Sequence, residues 1–92
     1  MRYRVELVVS LKEGLLDPQG KAVEGALPSL GWNNVSQVSV GKYIRLVVEA
    51  EDEPSARAQV QGMAERFLTN PVIENYRVVA VISSGGPVEV RP

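Results

Sequence analysis

The spacing of apolar residues along this chain changes period from two to 3.6 and back, and does so twice. That pattern confines the fold to a small set. Arg2 to Ser10 alternates, with Tyr3, Val5, Leu7 and Val9 on one face and Arg2, Arg4, Glu6 and Val8 on the other. This is a strand with one buried side. Leu11 to Leu16 is a connector. From Asp17 the stripe Ala22, Val23, Ala26, Leu27 and Leu30 has helical spacing. Asp17 suits the N-cap, where a carboxylate accepts the free amide hydrogens of the first turn. Pro18 suits the first helical position, where its missing N–H costs nothing. Gly31 suits the left-handed residue that ends a helix. Pro28 removes an internal hydrogen bond, so the helix is expected to kink or end near it. Gly20 is the odd choice, because glycine lowers helix propensity by roughly 1 kcal/mol against alanine. Close approach of another backbone or a ligand is one reason to keep it.

Asn33-Asn34 is a turn signal. Val35 to Val40 and Tyr43 to Ala50 read as two strands joined by Gly41-Lys42, a pair that fits a tight hairpin. Glu49 to Glu53 carries four acids, and Pro54 then opens a second helix. Negative charge is favourable at a helix start, so the plain reading of this run is a solvated N-terminus. In that helix Ala56, Val60, Met63, Ala64, Phe67 and Leu68 share one face. Asn70-Pro71 stops it, and Val72 and Ile73 are expected to tuck under the sheet edge. Tyr76 to Ile82 is the last strand. The expected domain is 1–82, with 83–92 a flexible tail rich in serine, glycine and proline.

The resulting order, βαββαβ, predicts an α+β, ferredoxin-like two-layer sandwich, with a four-stranded antiparallel sheet and two helices on one face. If Ile44, Leu46 and Val48 face the helices, the open face carries Tyr43, Arg45, Val47 and Glu49. The other strands add Arg4, Glu6, Val8, Arg77, Val79 and Val81. An apolar patch rimmed by charge marks association. The expected homo-oligomer interface is therefore Val8, Arg45, Val47, Val79 and Val81. A domain of 92 residues has little core of its own and gains from such association.

Composition restricts the chemistry. The chain has no Cys and no His, which excludes disulfides, thiolate metal sites and Ser-His or Cys-His catalysis. Net charge is −1, with one Phe, three Tyr and one Trp. That is a poor supply for holding a phosphate backbone or stacking bases, so no nucleic-acid partner is expected. No apolar run is long enough for a bilayer. The first residues run straight into a strand rather than a signal peptide, so no membrane is expected and a cytoplasmic location is. The candidate acids Glu13, Asp17 and Glu74 form no pair spaced for acid–base work. Leu11 to Gly20 lacks the phosphate-cradling glycines and Lys-Ser/Thr ending of a P-loop. A binding or assembly module is expected, with no catalytic residue. The competing reading is an ACT-like regulatory module for a small molecule, which shares the element order. It requires a glycine-rich ligand loop after the first strand, where only Gly14 and Gly20 stand.

Four blocks of sequence carry a resemblance. Leu11-Lys12 with Leu16-Asp17-Pro18-Gln19-Gly20 and Ala22 resembles the opening signature of the PurS family. Gly31-Trp32 matches its Gly-aromatic pair, and Val38, Gly41 and Lys42 match its V-x-x-G-K segment. Leu68, Asn70-Pro71-Val72-Ile73-Glu74 and Tyr76 match its closing L-x-N-x-V-I-E-x-Y. The resemblance as a whole runs from about Tyr3 to Val81. Ser39 departs from a frequent Arg, Thr69 from a frequent Ala and Asn75 from a frequent acid.

The resemblance implies the small subunit of phosphoribosylformylglycinamidine (FGAM) synthase in its split form. That complex uses glutamine and ATP to convert formylglycinamide ribonucleotide to formylglycinamidine ribonucleotide in purine synthesis. A PurQ-like glutaminase releases ammonia, and a PurL-like synthetase binds ATP and magnesium. The PurS chain itself carries no cofactor and bridges the two as a dimer that can pair into a tetramer. The family motif implies partner contacts at Lys12, Asp17, Pro18, Gln19, Gly20, Gly41, Lys42, Asn70, Pro71, Glu74 and Tyr76.

Overall fold

The sheet is antiparallel, with β1 (Arg2–Leu11) in the middle, β2 (Lys42–Glu49) on one side and β3 (Glu74–Ser84) on the other. The computed structural model describes residues 1–84, and residues 85–92 of the expected tail lie outside the described residues. Ser83 and Ser84, expected to begin the tail, belong to β3. Two helices join the strands: α1 (Pro18–Ala26), continued by a 3₁₀ turn over Leu27–Leu30, and α2 (Glu53–Met63), continued by a π-helical turn over Ala64–Leu68.

The alternation in β1 works as its sequence predicts. Tyr3, Val5, Leu7 and Val9 are all buried. The first three pack with Val48 of β2 and with Ala56, Val60 and Ala64 of α2 to form the core. α2 starts at Asp52, whose carboxylate accepts the Ser55 N–H at 2.8 Å. The acidic run is thus a capped helix start. In the π-helical turn the Thr69 N–H reaches back five residues to the Ala64 carbonyl at 3.0 Å, and the Thr69 hydroxyl donates to the same oxygen at 2.8 Å. Such a turn holds an extra residue and rotates the helix surface. Leu68 therefore faces the core, while Phe67, expected on the buried face, is 86% exposed. Val72 and Ile73 do not tuck under the sheet: both are exposed. The Ile73 carbonyl instead accepts the Lys12 N–H at 2.8 Å and fixes the chain just before β3.

The expected strand over Val35–Val40 does not form, so the four-stranded sheet is corrected to three strands among the described residues. Two of the amides that a strand over Val35–Val40 would donate to a neighbour are taken by carboxylates. The Val38 N–H donates to Glu24 at 3.0 Å and the Val40 N–H to Asp17 at 2.9 Å. Gln37 has a φ of 57°, a left-handed conformation that breaks an extended run. No Gly41-Lys42 hairpin follows, and Lys42 opens β2 directly.

The same bonds hold α1 against residues 38–40 instead of the sheet, so the expected pair of helices on one face is also corrected. Among the described residues α2 makes the main helix packing on the strands, and Gly20 is the only buried residue of α1. The local signals of α1 were legible. Asp17 is the N-cap, Pro18 the first residue, Pro28 lies in the 3₁₀ turn that replaces the last α-turn, and Gly31 caps it with φ 105°.

Candidate functional site

Where β1 ends, β2 and β3 begin beside the start of α1, and a cleft of about 250 Å³ opens between them. Its walls include Asp17, Pro18 and Gln19 from α1 and its cap, with Gly41, Lys42 and Glu74 from the strands. Asp17 is fully engaged: Oδ1 accepts the Gly20 N–H and Oδ2 the Val40 N–H, each at 2.9 Å. These two bonds, Gly20 first, hold its carboxyl below the usual carboxylate range.

Across the cleft, Glu74 Oε1 accepts the Asn70 N–H at 2.7 Å and Oε2 lies 3.5 Å from Lys42 Nζ. The Asn70 N–H, and after it the Lys42 charge, lower the Glu74 carboxyl as well. Asn70 Oδ1 accepts the Val72 N–H at 3.2 Å, so the Asn70-Pro71 stop is a turn built on its own side chains. A neighbouring hollow of about 550 Å³ adjoins Lys12, Pro71, Glu74 and Tyr76. There the Tyr76 hydroxyl donates to Glu65 at 3.1 Å. Burial and then Glu65 raise its pKa.

The residues expected to meet partners thus gather at one end of the sheet, although they come from three separate stretches of chain. Two glycines among them have reasons inside the chain. A Cβ on Gly20 would lie 2.5 Å from both the Asp17 carboxylate and the Val38 carbonyl oxygen, and a Cβ on Gly41 would overlap the Val9 carbonyl oxygen. Sequence reading missed Glu65 and Thr69, which help line the second hollow. Glu65 had only its place beside the helix stop to give it away, and Thr69 only its place where relatives frequently carry Ala.

Val8, Arg45, Val47 and Val79, the residues expected at a homo-oligomer interface, lie on the strands outside the core cluster. Tyr43 donates its hydroxyl to Glu6, and Arg2 meets Glu49 at 3.2 Å. Val81 is a correction. The register slips between Glu6 and Leu7, so Glu6 pairs with Ala80 but Leu7 with Val78. Val79 is the extra residue of the resulting bulge, which changes the side on which later residues fall. Val81 pairs with Val5 and packs against the core. Ile82 is exposed opposite Arg4.

Chemically, this arrangement orients backbone and presents a surface. Asp17 and Glu74 each accept backbone N–H groups. Among the described residues no group of three or more Asp or Glu side chains is placed to hold a metal ion, and no helix is long and apolar enough to cross a membrane.

Comparison with known proteins finds the family model "PurS: Phosphoribosylformylglycinamidine (FGAM) synthase" matching residues 4–81. The phosphoribosylformylglycinamidine synthase subunit PurS of Bacillus subtilis is 48% identical over 75 residues, covering 82% of this chain and 88% of that protein. The structure of Thermus thermophilus PurS superposes with a TM-score of 0.80 at 42% identity, covering 91% of this chain and 99% of that one. A chain of the Thermotoga maritima PurLQS structure gives a TM-score of 0.80 at 32% identity, covering 86% of this chain and 96% of that one.

Proposed function

Because this chain belongs to the PurS family of phosphoribosylformylglycinamidine synthase subunits, we propose that it bridges the glutaminase and synthetase subunits of that enzyme and contributes no catalytic group. The complex makes formylglycinamidine ribonucleotide from formylglycinamide ribonucleotide, glutamine and ATP. ATP and magnesium belong to the large subunit in this reading, and the assembly works in the cytoplasm. The observation that carries it is the clustering of Asp17, Pro18, Gln19, Gly41, Lys42 and Glu74 around one cleft. The carboxylates of Asp17 and Glu74 are spent on holding backbone, which suits a shaped docking surface rather than a reaction centre. The likeness to a chain of a PurLQS structure supports the same reading.

Self-association belongs to this proposal. The open sheet face, with Val8, Val47, Val79 and Arg45, is the surface offered to another copy, and an apolar patch rimmed by charge suits that use. A bridging subunit acts by keeping two active sites in productive register. The test measures product formation by PurL-like and PurQ-like partners, with and without this chain, using glutamine or an ammonium salt. Glutamine-dependent synthesis is expected to need the chain, and ammonia-dependent synthesis to need it far less. Full glutamine-dependent activity without the chain, or turnover by the chain alone, overturns the reading.

A further inference from the structure

Residues 15–41 form an arm that leaves the connector after β1 and returns at the start of β2. Between the connector and the two ends of the arm lies a further hollow of about 550 Å³. Small-molecule sites usually measure about 300–1,000 Å³. The walls are held from within the chain. The Lys12 N–H donates to the Ile73 carbonyl at 2.8 Å and the Leu15 N–H to the Lys12 carbonyl at 3.4 Å, which pins the connector. In the arm, the Val38 N–H donates to Glu24 and the Val40 N–H to Asp17. A site whose walls are already ordered loses less affinity to ordering them on binding.

The charges around this hollow are unspent. Arg2, Arg4, Lys42 and Arg57 each have a carboxylate within 4.0 Å. Lys12 and Lys21 line the hollow and have no such partner among the described residues, and Glu13 lines it and meets no cation there. Asp17, the other carboxylate in the wall, already accepts the Gly20 and Val40 N–H groups. Two positive charges and one negative charge are therefore left for a ligand. Leu11, Leu15 and Leu16 supply apolar wall beside them.

We propose that this hollow binds an α-amino acid that carries a second carboxylate. Its two carboxylates match Lys12 and Lys21, its ammonium group matches Glu13, and its short methylene chain suits the leucines. The charges decide the class. A neutral amino acid leaves one lysine unmatched. A dicarboxylate without the amine leaves Glu13 unmatched, and phosphate sets a second negative charge against it. Charges left unpaired by the wrong ligand are what give such a site its selectivity. Lys21 stands in α1 and Lys12 in the connector, so a bound ligand ties the base of the arm to the end of β1. The site is built by this chain alone and does not depend on the proposed function.

The full chain is titrated calorimetrically at low salt with L-glutamate, L-glutamine, glutarate and inorganic phosphate, and amide NMR shifts locate each ligand. L-glutamate is expected to bind about tenfold more tightly than the other three and to shift the amides of residues 12–16 and 37–39. Glu13→Gln is expected to abolish the preference for glutamate over glutarate, and Lys21→Ala to weaken glutamate binding about tenfold. Both residues are exposed, so both variants are expected to keep the unfolding midpoint of the unaltered chain. If either fails to fold, the ligand series on the unaltered chain still decides the matter. Glutarate or phosphate binding as tightly as glutamate would make the hollow a general anion surface and overturns the inference. So does an absence of glutamate binding at millimolar concentration, a set of shifts confined to other residues, or unchanged glutamate affinity in both variants.

Discussion

Asp17 and Val40 stand 23 residues apart and are joined by a 2.9 Å hydrogen bond from the Val40 N–H to Asp17 Oδ2. The other oxygen caps α1 through Gly20, so one carboxylate ties the start of the arm to its return. Its folded pKa is below the ordinary value near 4. The folded state therefore binds fewer protons than the unfolded one. The stabilisation is complete above that ordinary value and is lost as pH falls through the folded pKa. Glu74 acts with the same sign. Urea denaturation below about pH 4 should show a smaller loss of stability for Asp17→Asn than for the unaltered chain, and equal slopes would count against this clamp.

Three glycines separate crowding from helix propensity. Gly41→Ala pushes a methyl group onto the Val9 carbonyl of the central strand, and Gly20→Ala onto the Val38 carbonyl. Each should cost about 1–3 kcal/mol, as overpacking does. Gly25→Ala meets nothing within 4 Å in α1 and should gain about 0.5–1 kcal/mol. Midpoints of urea unfolding for the three variants check the order.

The π-helical turn makes a second contrast. Val60→Ala opens a hole in the core and should lower stability by about 1–3 kcal/mol. Phe67→Ser removes a larger side chain that the isolated chain leaves 86% exposed, so its effect on unfolding should stay within about 0.5 kcal/mol. A large loss from Phe67→Ser would mean that the turn places Phe67 elsewhere.

What the sequence made legible was local. β1 shows its alternation, and α1 and α2 show their caps, because those signals lie within a few residues of one another. The missing strand was hidden because it depends on Glu24 meeting Val38 and Asp17 meeting Val40, contacts that periodicity does not encode. Val35, Val38 and Val40 have strand-like composition, yet the Val38 and Val40 amides are diverted to carboxylates. Phe67 and Val81 were misplaced for a related reason. One inserted residue, in the π-helical turn and in the β3 bulge, changes the side on which the following residues fall. The candidate site was legible as motif blocks, since Asp17-Pro18, Gly41-Lys42 and Asn70-Pro71 each punctuate the chain. Their convergence on one cleft required the register of β1 with its two neighbours.

The ion pair across the cleft separates docking from folding. Glu74 Oε1 accepts the Asn70 N–H, a bond in which Lys42 takes no part. The Lys42 side chain is 58% exposed, so the pair is a surface salt bridge of small worth, about 0–1 kcal/mol. Lys42→Ala should therefore leave the unfolding midpoint nearly unchanged. If Lys42 contacts a partner subunit, the same variant removes a charge from a surface that becomes desolvated on docking. Its affinity for the glutaminase–synthetase partners should then fall about tenfold, with the lost contact appearing mainly in faster dissociation. Lys42→Arg should restore part of that affinity by keeping the charge. Binding kinetics and urea unfolding of both variants decide the point. A Lys42→Ala chain that binds as the unaltered one does, or loses stability and affinity together, would reduce Lys42 to a structural partner of Glu74.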